Sequence, residues 1–62
     1  MFVITSKFKH KEDLIDVYYV GHGTGKNTIW SDNISEAKNF VEVERAEDIA
    51  EELVEVTTIR SL

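Results

Sequence analysis

What most narrows the folds open to this chain is a change of hydrophobic period. Over residues 2–8 the apolar side chains alternate with period two; from residue 43 they recur at helical spacing. Residues 2–8, Phe-Val-Ile-Thr-Ser-Lys-Phe, place Phe2, Ile4 and Phe8 on one parity with Ser6, and Val3, Thr5 and Lys7 on the other. Period two in a β-branched and aromatic stretch predicts a strand. Residues 9–13, Lys-His-Lys-Glu-Asp, predict a hairpin loop. Residues 14–20 predict a second strand. Its apolar groups lie on both parities (Leu14, Tyr18 and Val20 against Ile15, Val17 and Tyr19), which implies cover on both faces or a central position.

Gly21, Gly23 and Gly25 then break the strand. Residues 28–30, Thr-Ile-Trp, predict a short return strand. Asn33 with Glu36 three residues on approximates a capping box, and Ala37 and Phe40 follow Ile34 at spacings of three. This predicts one to two helical turns over residues 34–39. Val43, Ala46, Ile49, Ala50 and Leu53 form an apolar stripe that predicts an amphipathic helix of about 11 residues. Residues 54–60, Val-Glu-Val-Thr-Thr-Ile-Arg, predict a last strand. The order β-β-(β)-α-α-β implies an α+β fold, a small antiparallel sheet with the helices packed on one face.

At 62 residues the chain is one small domain, and without cysteine or proline its core rests on six aromatics and the aliphatic stripe. Hydrophobic residues at 42% and charged residues at 31% imply a folded protein rather than a disordered one. No apolar run reaches the roughly 20 residues of a membrane helix, and the first residues do not have the form of a signal peptide. These features predict a cytoplasmic location, no membrane partner, and a core small enough that a homodimer is one expected form.

Residues 21–28, Gly-His-Gly-Thr-Gly-Lys-Asn-Thr, invite comparison with a phosphate-binding loop, G-x-x-x-x-G-K-[ST]. With Gly25-Lys26 as the G-K pair, the first glycine falls on Val20 and the magnesium-binding hydroxyl on Asn27. The loop should also open a helix, and β-prone residues follow instead. The stretch therefore predicts a hairpin loop, with partner contact by its glycines and Lys26 as the lesser reading. His10 and His22 lie in different loops without a nearby cysteine, so no zinc spacing arises. Neither metal, cofactor nor catalytic residues are expected, and Ser6, Ser31, Ser35 and Ser61 lack a nucleophile-elbow context.

Charge is uneven. Residues 1–31 hold four lysines against three acids; residues 32–62 hold three basic groups against nine acids. Lys7, Lys9 and Lys11 share a parity and offer a weak nucleic-acid stripe, which Glu12, Asp13 and Asp16 offset; edge protection is the simpler reading. The predicted helix carries Glu44, Glu47, Asp48, Glu51 and Glu52, with Glu55 after them, and only Arg45 as a local partner. Glu47–Glu51 and Asp48–Glu52 are like-charge pairs at i,i+4. A solvated face accounts for such a run, yet it costs local stability. The functional reading is a docking face of Glu44, Asp48, Glu51 and Glu55 for a basic protein partner. Trp30 suits core packing or, where exposed, an interface anchor.

Tyr19, Trp30, Asp32, Ala37, Phe40, Ala46, Ala50 and Val56 together form a pattern: a strand pair, Trp-Ser-Asp, Ser-Glu-Ala-Lys-x-Phe, an A-x-x-x-A helix and a valine-rich final strand. Over residues 17–60 it resembles a loose group of very small bacteriophage and prophage proteins of Gram-positive bacteria. The resemblance implies a fold and a phage-type origin and brings no catalytic residues. It suggests a non-enzymatic accessory protein that binds a host or phage protein. A self-associating structural protein is the alternative, and a weak nucleic-acid binder comes behind both.

Overall fold

The computed structural model describes residues 1–62, the side chain of Lys26 excepted. Four strands, β1 (Phe2–His10), β2 (Asp13–His22), β3 (Thr28–Ser31) and β4 (Thr57–Ser61), form one antiparallel sheet in the order β3-β2-β1-β4. One helix, α1 (Val43–Glu52), precedes β4. The class is α+β, as the change of period implies.

β1 and β2 run further than the alternation indicates. Lys9 pairs with Leu14 and His10 with Asp13, so the predicted five-residue loop shrinks to Lys11 and Glu12. Lys11 takes a positive φ of 57°. Two-residue hairpins require such a residue, normally glycine or asparagine. A lysine there carries no sequence signal, which is why the hairpin reads as a longer loop.

Between β2 and β3 the glycine stretch forms a single 3-10 turn, Thr24–Lys26, in which Gly25 has φ 73°. Gly23 N–H donates to Asn27 O at 2.7 Å and closes the loop. A β-bulge between Tyr19 and Gly21 shifts the register. A strand, not a helix, follows the glycines, as expected of a hairpin loop.

The second helix expected over residues 34–39 does not form. Ile34–Glu36 makes one 3-10 turn, and Ala37 is already extended at φ −65°, ψ 141°. Asn33 does cap, accepting from Ser35 N–H at 3.0 Å, and Ser31 Oγ donates to Glu36 at 2.9 Å. The helix stops because the next residues are needed elsewhere. β1 and β2 pair no further than Thr5↔Tyr18 at this end, and residues 38–40 enter the gap. Lys38 N–H donates to Tyr19 O at 2.9 Å, and Phe40 and Phe2 exchange two backbone bonds of 2.8 Å. Tertiary pairing of obligatory backbone groups outweighs a weak helical preference.

The sheet is covered on one face by α1. Ile4, Tyr19, Phe40 and Ala46 are buried there, with Phe2, Trp30, Ile49, Ala50, Leu53 and Ile59 packed around them. Tyr19 is the hub. Its ring stacks on Phe40 at 6.4 Å and meets Trp30 edge-on at 6.1 Å, and Phe8 closes on Trp30 at 5.3 Å. A smaller cluster of Val3, Tyr18 and Ala37 lies on the opposite face. β4 begins at Thr57, three residues later than the β-branched run implies. Val54 and Val56 stay 95% and 91% exposed in the bend that follows α1.

Candidate functional site

The outer surface of α1 is the candidate site. The helix forms because its apolar stripe buries Ala46 completely and packs Ile49, Ala50 and Leu53 over the sheet. Its start is weakly signalled. Glu42 takes the cap conformation but its side chain makes no capping bond. At 100° per residue the buried stripe leaves Glu44 at the centre of the opposite side, with Asp48 and Glu51 on either side of it and Glu47 and Glu52 on the two flanks. All five are exposed, as is Arg45.

Among the described residues no ion pair neutralises this face. The ion pair found among the described residues is Lys7–Asp16, 3.0 Å, between two exposed side chains of β1 and β2. The last turn of α1 has no basic residue, so Glu51 and Glu52 stand against the negative end of the helix dipole.

Of the residues named from sequence, Glu44, Asp48 and Glu51 share this face. Glu55 does not. It falls beyond the last helical residue, is half-buried, and has an enclosed Oε1 without a hydrogen-bond partner among the described residues. It lines a cleft of about 630 Å³ with Lys7 and Lys9 instead. The spacing 44-48-51-55 keeps one face only if the helix reaches residue 55, and it ends at Glu52. Trp30 also lies elsewhere, half-buried in β3 between Phe8 and Tyr19.

The lysines do not form a continuous stripe. Lys7 and Lys9 share a face of β1, Lys7 is paired with Asp16, and Lys11 occupies the turn. The side chain of Lys26 lies outside the described residues. His22 accepts or donates at 2.7 Å to the Tyr19 hydroxyl through Nδ1, an interaction the sequence does not signal. Burial, and secondarily the charge of Glu52, raise the Tyr19 pKa above its usual value, so the phenol stays protonated at neutral pH. Among the described residues no three His, Cys, Asp or Glu side chains gather closely enough to hold a metal ion.

Fold and site together define a small α+β module with one exposed acidic helix. No family model, no curated protein and no solved structure matches the chain. Among the described residues no helix is long and apolar enough to cross a membrane.

Proposed function

We propose that the protein is a non-enzymatic binding module that docks a basic protein partner on the outer face of α1. The observation that carries this reading is the set Glu44, Glu47, Asp48, Glu51 and Glu52, exposed on one helix and without an ion pair among the described residues. Such a field attracts and orients cationic partners and repels nucleic acid and anionic membrane. The phage-type resemblance adds a context, an accessory protein acting on a host or phage protein in the cytoplasm. Two observations favour this over self-association through aromatic residues. Tyr18 and Tyr19 are only 8% and 2% exposed within a single copy, and Trp30 packs against Phe8 and Tyr19 of its own chain.

Pulldown from a Gram-positive lysate tests the reading, with wild type beside a Glu44→Lys/Asp48→Lys/Glu51→Lys variant matched for folding by circular dichroism. The wild type is expected to retain basic proteins that the variant loses, in a salt-dependent manner. The same partners on both would refute a role for the acidic face.

A further inference from the structure

The outer edge of β4 is open, and its polarity follows from a single bond. Leu62 N–H donates to Met1 O at 2.8 Å, one step beyond the Phe2↔Ser61 pair. Antiparallel alternation then turns the N–H and C=O groups of Thr58 and Arg60 toward β1, and those of Thr57, Ile59 and Ser61 away from it. Phe2 agrees, since it faces Ser61 yet directs both its backbone groups to Phe40 on its other side. Three donors and three acceptors therefore line the free edge. β4 lacks the usual protection of such an edge, with no lysine, proline or bulge within it. Arg60, its one charge, lies on the parity of Val3 and Thr58, away from α1.

Beside this edge runs a groove of about 320 Å³ lined by Glu47, Ala50, Glu51, Thr57 and Ile59. Its floor is apolar where Ala50 leaves room above Ile59, and its helical rim carries two carboxylates. We propose that β4 accepts a fifth strand from the partner, an extended segment with lysine or arginine at alternate positions. The proposal rests on the reading of α1 as a face for a basic partner and specifies how that partner binds. Strand addition satisfies the open backbone groups. Alternate side chains of a strand lie about 6.8 Å apart, and Glu47 and Glu51 lie about 6 Å apart along the helix axis. Two successive inward cations thus meet the two carboxylates, with their alkyl stems over Ala50 and Ile59. An acidic or neutral segment lacks this match, and a second copy of the chain would bring its own Glu47 and Glu51 into the groove.

Two capped peptides of the same composition test the proposal, one alternating lysine and valine, the other with the lysines in one block. Amide hydrogen exchange gives the readout. Free protein should exchange Thr57, Ile59 and Ser61 fast and Thr58, Arg60 and Leu62 slowly. The alternating peptide should slow the first three at least tenfold and leave the others unchanged. Glu47→Gln/Glu51→Gln should weaken its binding about fivefold and flatten the salt dependence. Equal binding of both peptides without protection at Thr57, Ile59 and Ser61 overturns strand addition while leaving the acidic face as a diffuse electrostatic surface. Failure of both peptides to bind overturns both readings. Protection that grows with protein concentration in the absence of peptide assigns the edge to a second copy, which also overturns the proposal.

Discussion

Replacing Glu51 by lysine should make the free protein more stable. Glu51 sits one turn after Glu47 and in the last turn of α1, where no basic residue is present. Glu51→Lys removes a like-charge i,i+4 pair and creates a Glu-before-Lys pair in the favourable order, each change worth about 0.2–0.5 kcal/mol. It also exchanges an unfavourable charge for a favourable one at the negative end of the helix dipole, about 0.3–1 kcal/mol for each half. Both groups are exposed and screened, so the low end applies, and the gain is about 1 kcal/mol at low salt. In a domain of this size that raises Tm by about 4–8 °C. Thermal melts followed by circular dichroism in 10 mM and 1 M salt measure it. The gain should shrink by more than half at high salt, where the Debye length falls to about 3 Å. The same variant should bind basic peptide less well. A Tm that is unchanged or lower at 10 mM salt would refute the claim that these charges are uncompensated, and with it the reason for assigning them a binding role.

Two further perturbations follow from particular residues. Gly25→Ala should cost about 1 kcal/mol in urea melts because φ is +73° there, whereas Gly21→Ala, with a negative φ and nothing within 4 Å of an added Cβ, should be neutral or stabilising by about 0.5 kcal/mol. For Tyr19 the folded-state pKa lies above the unfolded one near 10. Above pH 10 the unfolded chain therefore binds fewer protons than the folded one, so stability is complete below about pH 10 and falls as pH rises through the folded value. Urea midpoints between pH 9 and 11 should drop more steeply for wild type than for Tyr19→Phe, which keeps the ring but has no phenol to ionise.

Strong periodicity was legible in the sequence. β1, β2 and α1 form where the alternating run, the apolar run of residues 14–20 and the Val43–Leu53 stripe predict them, with β1 and β2 each extended by two or three residues, because all three contribute side chains to the core between sheet and helix. Weak local signals were overruled from a distance. Asn33 and Glu36 do start a turn, but Lys38 and Phe40 owe their backbone groups to Tyr19 and Phe2, and no local reading of residues 34–39 contains those partners. The candidate site was half legible for a related reason. Glu44, Asp48 and Glu51 follow from helical spacing alone. Excluding Glu55 requires knowing that α1 stops at Glu52, and recognising Glu47 requires knowing that β4 lies beneath it.

The acidic face and the open edge explain each other. An unguarded edge strand is a hazard, since two copies of this chain could pair β4 against β4 around Ile59 and bury their free backbone groups. α1 packs over β1 and β4, so such pairing would bring the two helices within about 10 Å across the twofold axis, the ordinary helix-packing distance. Glu47 and Glu51 of both copies would then share one groove, four carboxylates over Ala50 and Ile59 without a cation among them. The charges that weaken α1 locally thus disfavour self-pairing and favour a cationic strand at the same place. That is a reason for a small protein to keep glutamates where lysine would make it more stable.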